Sequence, residues 1–126
     1  MNVPENLMYT SDHEWVLVDG NKVKIGITDY AQDALGDVVF VDAANVGESV
    51  NSGQTVTEVE STKSVSDIYA PLTGKIVEAN SELDDSPELL NTDPYGDGWI
   101  FIMEIDGESV TKDLLTPEQY RELIEG

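Results

Sequence analysis

A compact β-rich domain with two or three short helices is predicted from three observations. Short runs rich in Val, Ile and Thr recur along the chain and are separated by Gly, Asn, Asp and Pro at turn spacing. The 126 residues leave room for one domain, residues 1–126, and no low-complexity linker divides them. Leu, Ile, Val and Phe make up 34 of the 126 residues, about 27%. That lies above the roughly 20% below which a highly charged chain fails to bury enough apolar surface to fold.

The elements follow in order. Residues 14–19 and 22–27 flank Asp19-Gly20-Asn21, whose residues tolerate positive φ, and predict a β-hairpin. Asp29 followed by Gln32 has the form of a capping box, and Gly36 suits a left-handed C′ position, so a helix of about two turns is expected between them. Val38-Val39-Phe40-Val41 within residues 37–42 is too short and too β-branched for a helix, which favours a strand buried on both faces. Turns at residues 46–47 and 51–53 precede two strands, 54–60 and 65–70, that face each other across Ser61-Thr62-Lys63-Ser64. Pro71 and Gly74 set a reversal before a strand at 75–79, Pro87 suits the first position of a short helix, and residues 91–98 have loop composition. A strand at 99–105, a turn at Asp106-Gly107 and a helix from Pro117 to about Glu125, capped by Thr116 and Gln119, complete the reading.

Composition excludes several classes of function. With 26 acidic and 6 basic residues the formal charge is −20, and the scattered lysines form no run that could neutralise a phosphate backbone or an anionic bilayer. No nucleic-acid or membrane partner is therefore expected. The chain has no cysteine and one histidine, His13, so a zinc or iron site would need almost wholly carboxylate ligands, and Ser-His or Cys-His catalysis has little to work with. The longest apolar stretch, residues 99–103, is far too short to span a bilayer, and the amino terminus lacks the basic and apolar regions of a secretory segment. A cytoplasmic address is expected.

Among the basic residues Lys63 is isolated, at the expected tip of a hairpin whose four turn residues include neither Gly nor Asn. An exposed turn lysine is ordinarily a solubilising residue. Here its frame is unusual, with Glu60 three residues before it and Gly74 eleven after. The run Val59-Glu60-Ser61-Thr62-Lys63-Ser64-Val65-Ser66-Asp67-Ile68-Tyr69-Ala70-Pro71-Leu72-Thr73-Gly74 resembles the lipoyl-lysine segment of the glycine cleavage H-protein family. Tyr9-Thr10-Ser11-Asp12-His13-Glu14-Trp15, the segments Gly26 to Gln32 and Leu35 to Val41, and Asn91-Thr92-Asp93-Pro94-Tyr95-Gly96-Asp97-Gly98-Trp99 resemble that family's other signatures, in the same order. Thr62 and Ser64 flank the lysine where biotin carriers usually place methionine, which favours lipoate.

The resemblance implies a mainly β, flattened barrel-sandwich hybrid of the lipoyl and biotinyl carrier type, with short helices and a C-terminal helix. It implies lipoate as the cofactor, joined to Lys63 by an amide, on an arm on the order of 15 Å long from bond lengths of about 1.5 Å. The protein would be a shuttle and not an enzyme, and would be monomeric. It would carry an aminomethyl group from a pyridoxal-phosphate glycine decarboxylase to a tetrahydrofolate-dependent aminomethyltransferase, and the reduced dithiol to dihydrolipoyl dehydrogenase, after loading by lipoate-attaching enzymes. By the same similarity Glu14 and Asp67 are candidates to hold the amine of the loaded arm, with Ser11 or His13 nearby. His13 is expected to act as a structural hydrogen-bonding residue.

Three other readings compete. A carrier domain of a different multienzyme system would ordinarily be embedded in a longer chain with flexible linkers. A relay of lipoyl or octanoyl groups in lipoate assembly would use the same lysine. A small acidic enzyme with paired carboxylates has only the abundance of Asp and Glu in its favour.

Overall fold

The computed structural model describes residues 2–105 and 114–125. Among these, nine strands form two antiparallel sheets. The larger has six strands in the order β1 (Met8–Tyr9), β2 (Glu14–Asp19), β3 (Lys22–Ile27), β9 (Phe101–Ile105), β8 (Gly74–Ala79) and β5 (Ser49–Val50). The smaller has the order β4 (Val38–Val41), β6 (Thr55–Ser61) and β7 (Val65–Tyr69). Inward side chains of both sheets, among them Val16, Ile25, Ile76, Phe101 and Met103 from one and Val38, Val41, Val59 and Ile68 from the other, share one apolar core. A second cluster of Val3, Leu7, Tyr9, Trp15 and Tyr120 fastens the amino-terminal segment to helix α4 (Pro117–Glu125).

Local chemistry accounts for the elements and for the departures from expectation. The β2–β3 hairpin turns with Gly20 at φ 63°, the positive φ that a type II′ turn places at its first central residue. Helix α1 (Asp29–Leu35) is capped by Thr28, not Asp29: the Thr28 hydroxyl accepts from the Ala31 N–H, while Asp29 is the first helical residue and takes a hydrogen bond from the Gln32 side chain. Helix α4 carries the expected reciprocal box, with Thr116 N–H donating to the Gln119 side chain at 2.9 Å and Gln119 N–H donating back to the Thr116 hydroxyl at 3.2 Å.

Three further expectations are corrected. Strand β4 is buried at Val38 and Val41 but exposed at Val39 and Phe40, because its pairing with β6 skips a residue between Val38 and Phe40 and the bulge turns both outward. Pro87 opens no helix. It lies between α2 (Glu82–Asp85) and α3 (Leu89–Thr92), and α3 takes in Asn91 and Thr92 from the expected loop. The last strand starts at Phe101, since the Asn80 side chain takes the Trp99 carbonyl that a strand partner would otherwise use. The turn expected at Asp106-Gly107 lies outside the described residues.

Gly74 illustrates a requirement hidden in the sequence frame of the lysine. A Cβ there would stand 2.2 Å from the Glu104 carbonyl oxygen and 3.3 Å from the Ile105 Cα, both backbone atoms of the paired strand β9. Gly74→Ala is therefore expected to force β8 from β9 and destabilise the protein by about 2–3 kcal/mol, read as a lowered denaturant midpoint. An unchanged midpoint would show that the strands can part at little cost.

Candidate functional site

Lys63 projects from the β6–β7 tip and is exposed. The turn manages without glycine because Ser61 organises it. The Ser61 oxygen accepts the N–H groups of Lys63 at 3.3 Å and Ser64 at 3.1 Å, and the Ser61 N–H donates to the Ser64 carbonyl at 2.8 Å. Neither Thr62 nor Lys63 has positive φ. The tip is also tied sideways, with Thr62 N–H donating to the Asp37 carbonyl at 3.0 Å.

The lysine stem rests on the corner where α1 meets β4. Gly36 closes α1 at φ 82°, and a Cβ there would lie 3.1 Å from the Lys63 Cε, so glycine supplies both the backbone turn and the space for the stem. Asn91 clamps the same corner. Its amide donates to the Gly36 carbonyl at 2.9 Å and the Gln32 side chain at 3.1 Å, and its oxygen accepts the Val38 N–H at 2.8 Å.

Immediately beyond the tip, residues 64–68 of β7 and its approach form one wall of a cleft of about 290 Å³. The opposite wall is α1, through Tyr30, Ala31, Ala34 and Leu35, and the Asp12-His13 turn lies at one end. The cleft therefore combines apolar side chains, among them Ile27, Leu35 and Ile68, with polar ones that include two carboxylates, Asp12 and Asp67, both on exposed residues. Such a lining suits a slender apolar chain ending in a cation.

The sequence-derived candidates are distributed unevenly about this cleft. Asp67 lines it, and so does His13. Ser11 is exposed but is not part of the wall. Glu14 lies behind the wall at 1% exposure, where its carboxylate accepts the Tyr69 N–H at 2.7 Å and the Thr10 hydroxyl at 3.1 Å. Burial outweighs these bonds and pushes its pKa up to about 8. Glu14 thus ties β2 of one sheet to β7 of the other. Sequence reasoning missed Asp12 and Tyr30, since one more acid in a chain of 26 acidic residues carries no signal of its own.

His13 has φ 68° and is the only non-glycine residue with positive φ among those described. Its Nδ1 lies 2.9 Å from the Tyr120 hydroxyl, which in turn lies 2.7 Å from the Thr28 hydroxyl, and its ring packs against Tyr30 with centroids 4.7 Å apart. Burial lowers its pKa, which keeps the imidazole neutral at pH 7. These bonds anchor the end of the cleft to α4 through buried Tyr120.

Comparison with known proteins gives this geometry its context. The family model described as glycine cleavage H-protein matches residues 7–126. The glycine cleavage system H protein of Staphylococcus haemolyticus is 52% identical over 124 residues, covering 98% of each chain. That of Bacteroides thetaiotaomicron is 48% identical over 126 residues, covering both chains completely. The crystal structure of a glycine cleavage system H protein from Mycobacterium marinum superposes with a TM-score of 0.87 at 42% identity, covering 98% of this chain and 100% of that one. With an exposed lysine beside a cleft and its sequence matched from end to end, the chain belongs to the glycine cleavage H-protein family, whose members are carriers and not catalysts.

Proposed function

We propose that Lys63 is the lipoyl attachment residue, and that the chain shuttles the loaded arm among the decarboxylase, aminomethyltransferase and dihydrolipoyl dehydrogenase of the glycine cleavage system. The observation that carries this reading is the placement of Lys63, exposed at a hairpin tip whose next residues open into an acid-bearing cleft. The lipoyl group, when attached, supplies the thiol chemistry that a chain without cysteine lacks. The residues present fit it: the stem of Lys63 has a seat on Gly36, and the cleft offers an apolar lining to a chain and carboxylates to an amine.

The protein's own work is protective. Ala31, Leu35 and Ile68 line the cleft and exclude water, while Asp12 and Asp67 hold an ammonium group by charge-assisted hydrogen bonds. Glu14 contributes from behind, by holding the Tyr69 backbone and with it the course of β7. Intact mass after expression with lipoate is expected to show one lipoyl adduct, mapping to the peptide that contains Lys63. An adduct on any other residue would overturn the assignment.

Protection has its own measurement. With the lipoylated protein loaded with methylamine, Asp12→Asn and Asp67→Asn are each expected to shorten the lifetime of the loaded form about three- to tenfold, the effect of one partly solvated charge contact. Glu14→Gln should leave the lifetime unchanged at pH 7, where the buried carboxyl is already protonated. Lifetimes equal to wild type in both aspartate variants would remove the cleft acids from the mechanism.

A further inference from the structure

The outer face of the three-stranded sheet carries an apolar patch beside the lysine tip. Phe40, Glu60 and Val65 are direct cross-strand partners on β4, β6 and β7, so their side chains lie in one row on one face. Phe40 is 55% exposed and Val65 58%, and the bulge leaves Val39 50% exposed next to them. These are three of the six strongly exposed large apolar side chains among the described residues, gathered at one end of one sheet. Glu60 stands exposed in the middle of the row, exposed Asp37, Asp42, Glu58 and Asp67 lie on the same strands or at their ends, and within residues 37–42 and 58–67 the only base is Lys63 itself.

We propose that this row is the docking face for the enzyme that acylates Lys63, which would present apolar contacts to Phe40 and Val65 and a lysine or arginine to Glu60 between them; the proposal rests on Lys63 being the attachment residue. Reach singles out this partner. An extended lysine places Nζ only about 6 Å from its Cα, from bond lengths of about 1.5 Å. An active site that closes on the bare amine must therefore also touch the strands flanking the tip. The enzymes that act later meet sulfur atoms on the order of 15 Å away and can work with far less of the sheet. Charge decides the complement: Glu60 between Phe40 and Val65, with four further carboxylates nearby, suits a partner surface that carries basic side chains, which speed encounter and fix orientation while the apolar side chains provide desolvated contact.

The test is steady-state acylation of the apo chain by a lipoate–protein ligase with lipoate and ATP. The double variant Phe40→Ser/Val65→Ser is expected to raise the KM for the apo chain about tenfold or more with kcat retained. The control pair Val18→Ser/Leu123→Ser, exposed apolar positions on β2 and α4, should leave both constants unchanged. Raising the salt concentration should raise the wild-type KM. An unchanged KM in the Phe40/Val65 variant, or an equal rise in the control pair, overturns the docking face. A variant acylated normally but impaired only in glycine–bicarbonate exchange with the decarboxylase also overturns it; since Val65 lines the cleft as well, the same defect in Phe40→Ser alone is what assigns the row to that partner. Failure of the underlying site assignment would look different, as an adduct retained in Lys63→Arg.

Discussion

Lys63→Arg is expected to abolish both the lipoyl adduct and glycine–bicarbonate exchange while leaving the fold unchanged. Arginine keeps the positive charge and a long apolar stem that can lie along Gly36. Its guanidinium stays protonated in proteins and offers no free amine to acylate. The turn itself is indifferent to the exchange, because it is held by the Ser61 hydroxyl and by backbone bonds to Ser64 and Asp37, none of which involves the lysine side chain. Unfolding free energy should therefore stay within about 0.5 kcal/mol of wild type, as for other exposed substitutions. Loss of the adduct with normal stability assigns the chemistry to one nitrogen atom. Retained exchange activity in this variant would place the carrier group elsewhere.

Glu14→Gln is expected to remove a large pH dependence of stability. Glu14 titrates at about 8 in the folded protein and near 4.5 in the unfolded chain. Between those values the folded state holds a proton that the unfolded state releases, so stability is greatest below about pH 4.5 and declines as pH rises toward 8. Over the whole window the loss is on the order of 4 kcal/mol, of which about 2 kcal/mol falls between pH 6 and 8. Glutamine accepts the Tyr69 N–H through its oxygen, so the link between the sheets survives without a titrating group. His13 acts in the opposite sense, since its lowered pKa costs stability as pH falls, but that contribution is common to both proteins and cancels in their difference. Denaturant unfolding of both proteins at several pH values reads the difference. Parallel curves from pH 6 to 8 would show that the carboxyl ionises without cost where it sits.

Features set by short stretches of sequence were legible: the β2–β3 turn at Gly20, the end of α1 at Gly36, and the box at Thr116 and Gln119. Features set by contacts between distant segments were not. Strands β1 and β5 are two residues each, too short to show any alternation, and exist because neighbours in the sheet pair with them. The exposure of Val39 and Phe40 depends on a one-residue slip against β6, which an apolar tetrapeptide does not reveal. At the site, Lys63 stood out by isolation in an acidic chain. The separation of Glu14 from Asp67, one behind the cleft wall and the other on it, follows from which side of each strand faces the cleft. Two acids on two strands look alike until the sheets are assembled around them.

The position of β9 bears on how the molecule can be made. It lies between β3 and β8, pairing Lys22 with Glu104 on one side and Gly74 with Ile105 on the other. The last strand in sequence among the described residues is thus the central seam of the larger sheet. On the ribosome the β6–β7 hairpin is complete long before this strand emerges, and its local pairing needs no distant partner. A nascent chain halted before Phe101 would display the lysine tip while β3 and β8 kept open, apolar edges prone to association. Only after residues 101–105 have been synthesised can the larger sheet close.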